Sequence, residues 1–231
     1  MPGDLDIQDP ARSCRRHDQR AIHLLAISTL IWLLAAGCTR SVPIPSDFPT
    51  PVSERLPLRM GLYYDRLLRA YVYRKQTTDG TTWLVDLRPA HRPLFRQVFG
   101  EAFAQLREAT DFAALTGAPG NLDAILAPQV EAFTLETPAD SSSPFYQVTI
   151  TYRIRLYSAK GEIITSWPIE GYGRGRAGWL QSGRAVKQAT VQALRDVAAQ
   201  IVIGIANSPG IAERLAAKQP KPTRDTGTIA E

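Results

Sequence analysis

Tyr146-Gln147-Val148-Thr149-Ile150-Thr151-Tyr152-Arg153-Ile154-Arg155-Leu156 alternates apolar and polar residues without a break. Successive side chains of an extended chain point to opposite faces, so this stretch predicts a strand with one buried and one wet face. Ser158-Ala159-Lys160-Gly161 turns the chain back, and Ile163, Thr165, Trp167 and Ile169 continue a hairpin. Upstream, residues 123–136 form a strand candidate with Pro128 inside. Proline donates nothing to a ladder, so an edge or bulged strand is expected there.

Further out, Leu56, Leu58, Met60, Leu62 and Tyr64 alternate with other residues and predict another strand. Residues 70–75 and 81–87 read as two extended pieces around the turn Asp79-Gly80. Between His91 and Ala109, residues Leu94, Phe95, Val98, Phe99, Ala102, Phe103 and Leu106 make an apolar stripe at helical spacing, and Pro93 suits its start. From Ser182, read as a capping residue, Val186, Ala189, Ala193, Leu194, Val197, Ile201, Val202 and Ile205 form a second stripe. Pro209 and Gly210 end it. The expected fold is α+β: an antiparallel or mixed sheet of about four to six strands with two amphipathic helices on one face.

The chain has 231 residues, 44% of them hydrophobic, and 27 Lys and Arg against 22 Asp and Glu. That is globular composition. The two cysteines, Cys14 and Cys38, exclude a disulfide scaffold and a four-cysteine zinc site. Two of the three histidines precede residue 24, which disfavours His-based catalysis. The modest net charge of +5 is weak evidence for an anionic partner, and no nucleic-acid partner is expected.

The amino-terminal segment carries an address. Arg12, Arg15, Arg16 and Arg20 precede an uncharged run over residues 21–36, and Leu34-Ala35-Ala36-Gly37-Cys38 closes it. The run is shorter than the roughly 17–25 residues of a bilayer-crossing helix. A basic segment, an apolar segment and a small-residue cleavage site describe a secretory signal. His17 and Asp18 after Arg15-Arg16 favour general secretion over a twin-arginine route.

A cysteine directly after small residues resembles the lipobox of bacterial lipoproteins. In that family the thiol is acylated and the chain is cut before it, which implies lipidation of Cys38. This sequence departs from the usual pattern in having Ala35 where the family has Leu; Leu34 lies one step further out. The residue after the cysteine is Thr39, not the Asp that tends to retain such proteins in the inner membrane, so the resemblance implies the outer membrane, facing the periplasm. Residues 1–37 are then signal peptide and 38–55, with Pro43, Pro45, Pro49 and Pro51, a lipidated Pro-rich tether. Residues 56–217 form a single domain, and 218–231 a disordered tail.

The order of strands, long strand, hairpin and closing helix, with Asp123-Ala124-Ile125-Leu126-Ala127-Pro128-Gln129-Val130 ahead of the long strand, resembles small envelope lipoprotein domains. These are the amino-terminal domain of TolB and the lipoproteins of curli secretion and of penicillin-binding-protein activation. Such families are mostly assembly factors, adaptors and activators. None of their functional residues maps onto this chain.

Gly173-Arg174-Gly175-Arg176-Ala177-Gly178 satisfies G-x-G-x-x-G between a strand and a helix. A dinucleotide site also needs a following parallel strand with an acidic residue about 20 positions on. Here the chain ends after the helix, so a glycine-rich connection with unusual backbone angles is the better reading. No cofactor is expected. The same stretch is basic, and Arg174, Arg176, Arg184 and Lys187 are the candidate anion- or partner-binding residues, with Arg153 and Arg155 as an extension. A solvated polar loop competes with that reading.

His91 would have to serve any Ser-His-Asp set, yet no G-x-S-x-G elbow exists. Glu131, Glu136, Glu162 and Glu170 fall on strands with nothing marking a facing pair. No metal site is expected. Tyr63, Tyr64, Tyr71, Tyr73 and Trp83 read mainly as sheet packing. The expectation is therefore a non-enzymatic, lipid-anchored accessory, assembly or adaptor subunit with an envelope protein partner. The alternative is a transport component that binds lipid or lipopolysaccharide, which a deep apolar cavity would mark. A cell-wall hydrolase is a third reading.

Overall fold

The computed structural model describes residues 39–45, 55–117, 122–176, 181–208 and 210–218. The signal segment and Cys38 lie outside the described residues, as do 46–54, 177–180 and the tail from 219.

Eight strands are described, β1 (Thr39–Pro43), β2 (Leu56–Tyr63), β3 (Val72–Gln76), β4 (Thr82–Asp86), β5 (Phe103–Ala109), β6 (Ala124–Glu136), β7 (Phe145–Tyr157) and β8 (Ile163–Arg176). The helices are α1 (Arg66–Arg69), α2 (Arg88–Ala102), α3 (Ala113–Thr116), α4 (Ser182–Gly204) and α5 (Ile211–Lys218), with a 3-10 turn over Ile205–Asn207. The strands form a five-stranded sheet, order β5-β2-β6-β7-β8, and a three-stranded sheet, order β1-β4-β3. Both are mixed. β6, β7 and β8 meander antiparallel, and β2 lies parallel to β5 and β6. The expected α+β class stands.

Residues 146–156 of β7 behave as their alternation requires. Val148, Ile150, Tyr152, Ile154 and Leu156 are buried, and the residues between them are half-exposed. The buried face meets α2 through Leu94, Phe95, Val98 and Phe99, and α4 through Val186, Leu194, Val197 and Ile201, in one continuous core. The smaller sheet joins that core through Trp83 and Val85, with Trp83 edge-on to Tyr146 at 5.7 Å and Tyr73 against Phe133 at 4.6 Å. Gly80, at φ +80°, makes the β3–β4 turn, and Gly161, at φ +89°, the β7–β8 turn.

Several expectations need correction. The first apolar stripe is not one helix to residue 109. α2 starts at Arg88 and stops at Ala102, and Phe103 opens strand β5, which pairs in parallel with β2. Phe103 and Leu106 fall at helical spacing by coincidence, and two residues that continue a stripe do not decide between helix and strand. Pro93 lies inside α2, and Pro89 takes the first-turn place where a missing N–H costs nothing.

β6 lies in the middle of its sheet, not at an edge. It is bulged between Val130 and Ala132, and its pairing with β2 ends at Leu126, so no β2 partner lies beside Pro128. Ser182 is not the cap of α4: Gln181 holds that position without a side-chain cap bond, and the Ser182 hydroxyl accepts from Arg40.

The segment read as a tether starts as structure. Thr39–Pro43 is a strand parallel to β4, and Val42 and Ile44 are buried. Val42 and Ile44 supply the apolar surface that draws the segment onto the domain, which the prolines after them obscured.

Candidate functional site

The four basic candidates sit at one end of the molecule but on two different faces. β8 runs through Arg176, so Gly173-Arg174-Gly175-Arg176 is strand and not a loop. Along β8 the odd residues Ile169, Gly171, Gly173 and Gly175 are buried, and the even residues Glu170, Tyr172, Arg174 and Arg176 are exposed. Alternation places Arg174 and Arg176 on the sheet face away from α4. Arg184 and Lys187 are exposed on α4 itself. The single cluster expected from the sequence is therefore two patches, because one residue of strand flips a side chain to the other face.

The glycines act by absence of bulk, not by unusual angles. Among the described residues only Gly80, Gly161 and Gly210 have positive φ. A Cβ at Gly171 would lie 2.2 Å from the Ala193 carbonyl oxygen, at Gly173 2.0 Å from that of Ala189, and at Gly175 2.2 Å from that of Ala185. A G-x-G-x-G strand thus takes an A-x-x-x-A-x-x-x-A helix at backbone contact. The period-two glycines and period-four alanines were both legible in the sequence. The G-x-G-x-x-G reading masked them.

This closeness changes what the sheet edge offers. β8 is an edge strand. Its outward Tyr172 N–H donates to Asp196 Oδ2 at 3.0 Å and its Arg174 N–H to Gln192 Oε1 at 3.0 Å. Pro168, at the same parity, has no N–H. Side chains of α4 therefore occupy donors that an added strand would need, a recognised way to protect an edge.

The open face of the meander holds polar cross-strand pairs. The Arg174 guanidinium lies over the Phe145 ring at 5.3 Å, and the Tyr172 hydroxyl donates to Gln147 Oε1 at 2.7 Å. Arg153 pairs with Glu131 at 2.5 Å. The surface grooves among the described residues include three that bear on the site. One of about 520 Å³ is lined by Arg184, Lys187, Gln188, Val191, Gln192 and Arg195 on α4. One of about 510 Å³ lies between Trp167–Tyr172 and the carboxyl half of α4. The third, about 710 Å³, lies between α2 and β5, where Arg92 and Arg96 both pair with Glu108.

His91 lies in the core at 1% exposure. Its Nδ1 is 2.7 Å from the Leu68 carbonyl oxygen, which requires a proton on Nδ1 in the neutral ring. Burial is the main cause that lowers its pKa to about 4, opposed by the Leu68 bond. Nε2 and the buried Tyr152 hydroxyl have no partner among the described residues, and the two rings meet edge-on at 5.6 Å. His91 is placed to pack the α2 start against α1 and β7, not to meet a solvent-borne substrate. Among the described residues no group of three His, Cys, Asp or Glu side chains could hold a metal ion. The segment Ser182–Asn207 is long and apolar enough to cross a membrane by length and composition. Its apolar stripe is already spent on the sheet.

No family model matches the sequence, and no curated protein matches it. Solved structures similar to it include a Xanthomonas campestris protein of the family model DUF330, 13% identical, with a TM-score of 0.45 over 73% of this chain and 97% of that one. A candidate lipoprotein from Caulobacter crescentus is 13% identical, with a TM-score of 0.36 over 56% of this chain and 83% of that one. PelC of Paraburkholderia phytofirmans, a dodecamer, is 15% identical, with a TM-score of 0.30 over 64% and 93%. At this level of likeness no residue role transfers from one chain to another.

Proposed function

We propose that the chain is an envelope lipoprotein, anchored through Cys38 in the outer membrane and facing the periplasm, which serves as a non-enzymatic accessory or adaptor subunit for a protein partner. The observation that carries this reading is the placement of its exposed chemistry. Arg174, Arg176, Arg184 and Lys187 lie on surfaces built by rigid elements, while His91 and Tyr152 are sealed in the core. Where α4 meets Gly171, Gly173 and Gly175 of β8 at backbone contact, no room is left for a lipid chain between them. The three grooves are open and have charged or polar residues in their linings.

The test is co-purification of partner from detergent-solubilised envelope at low and high salt, with two double variants. Arg174→Glu with Arg176→Glu reverses the sheet-face patch; Arg184→Glu with Lys187→Glu reverses the helix patch. Loss of partner with one pair, at unchanged circular dichroism, identifies the face. Recovery equal to wild type with both pairs removes the basic patches as partner surfaces.

A further inference from the structure

We infer that the end of the domain bearing Arg40, Arg176, Arg184 and Lys187 rests directly on the anionic headgroups of the membrane that holds the lipid, which leaves the sheet face with Arg174 to the protein partner; this rests on the lipidation of Cys38 proposed above. The first ground is chain length. β1 begins at Thr39, the residue bonded to Cys38, and every residue of it is in register with β4 from Thr39↔Thr82 to Pro43↔Asp86. One extended residue spans at most about 3.6 Å. The proline-rich segment that could have let the domain stand off the membrane follows β1 instead of preceding it. An acylated Cys38 therefore has no slack, and the surface around Thr39 must face the bilayer.

The second ground is what else lies at that end. β1 and β4 run parallel, so the β3–β4 turn at residues 77–81 is beside Thr39. The Arg40 guanidinium bonds the Ser182 hydroxyl and lies 5.6 Å from the Trp83 ring centroid, which fixes the first turn of α4 there. Trp83 touches Tyr146, at the start of β7, and Phe145 pairs with Arg176 at the end of β8.

The third ground is charge. Arg40, Arg176, Arg184 and Lys187 are exposed, and no carboxylate pairs with them among the described residues. The nearby acids are mostly engaged: Asp140 pairs with Lys75 at 2.9 Å, and Asp79 accepts from Thr77 and Thr81. Glu136 is the exposed exception. Basic side chains held next to an anionic leaflet by a lipid lie within the about 8–10 Å over which charges act at ordinary ionic strength.

The opposite end supplies the reference. β8 has 14 residues at about 3.3 Å each, so the exposed Ile163 lies roughly 40 Å from Arg176. Cys14 is removed with the signal and Cys38 is acylated, so one engineered cysteine is the sole free thiol. Thr78→Cys and Ile163→Cys are made in the full-length precursor, and the lipidated protein is purified and labelled with a small fluorophore. Each is reconstituted into vesicles of phosphatidylethanolamine with phosphatidylglycerol, or of phosphatidylcholine alone, both containing a headgroup-nitroxide lipid.

The expected result is several-fold stronger quenching at position 78 than at 163 in the anionic vesicles. That contrast should shrink in phosphatidylcholine and in the Arg184→Glu, Lys187→Glu background. Equal quenching at both positions, stronger quenching at 163, or a contrast that ignores lipid and protein charge overturns the docking. The mass of the amino-terminal peptide separates the two failures. An acylated protein without the contrast refutes the docking alone, and a protein without acyl chains refutes the anchoring and the docking together.

Discussion

Gly173→Ala is the sharpest probe of how the domain is held together. The added Cβ would lie 2.0 Å from the Ala189 carbonyl oxygen, 2.6 Å from the Ala193 nitrogen and 2.9 Å from Gln192 Cβ. Ordinary non-bonded separations begin at about 3.5 Å, so α4 must lift by roughly 1.5 Å. The obstacles are mainly backbone, so no rotamer change relieves them. A lift of that size loosens the contacts of buried Ala189, Thr190, Ala193, Leu194 and Val197. A radial gap of about 0.5–1 Å already forfeits a quarter to a half of a contact's attraction. It also pulls Asp196 and Gln192 from the Tyr172 and Arg174 amides, bonds worth about 1 kcal/mol net each. Overpacking ordinarily costs about 1–3 kcal/mol, and a rigid clash on this scale should reach at least about 3 kcal/mol, against a total of about 5–15. Urea unfolding followed by circular dichroism reads the loss. Gly183→Ala is the control, since a Cβ there meets nothing within 4 Å and helical alanine gains about 0.5–1 kcal/mol over glycine. If Gly173→Ala stays within about 0.5 kcal/mol of wild type, the level of a surface change, α4 does not ride on the glycine face.

Phe99→Ala should cost about 3–5 kcal/mol by the same unfolding assay, because Phe99 is fully buried and its ring stacks between Phe95 and Phe103. Asp196→Ala with Gln192→Ala should uncover the β8 edge with little loss of helix. A rise over wild type in sedimentation-detected self-association is the expected sign. For His91, burial holds the folded pKa near 4 against an ordinary 6.5, so the neutral ring is the folded form. The unfolded chain takes up the proton first, so this contribution is complete above about pH 6.5 and is lost as pH falls toward 4, by roughly 3 kcal/mol in all. His91→Phe should flatten that part of the stability–pH curve, and an unchanged slope would place the titration elsewhere.

Where alternation ran long, the sequence was enough. β7 has 13 residues with one buried face and was legible outright, as were the β3–β4 hairpin at Gly80 and the body of α4. Short elements with conflicting periods were not. Phe103 and Leu106 continue a helical stripe in the sequence, yet pairing with β2 takes them, a tertiary choice that local spacing does not encode. The same holds for Thr39–Pro43, whose partner β4 lies 43 residues on (Thr39↔Thr82) in a parallel pairing that no hairpin signal announces. At the candidate site the residue types were legible but their grouping was not. Arg174 and Arg176 part from Arg184 and Lys187 because β8 extends through the glycines, and that extension depends on α4 fitting against them. The capping of β8 by Asp196 and Gln192 could have been suspected from their spacing of four along one helix edge.

Lipid anchoring is tested most directly by the mass of the amino-terminal peptide of the protein extracted from its native membrane. The expected peptide begins at Cys38 and carries acyl chains on that residue, with nothing of residues 1–37 attached. A peptide that begins elsewhere, or an unmodified Cys38 in a protein still bound to the outer membrane, would contradict it.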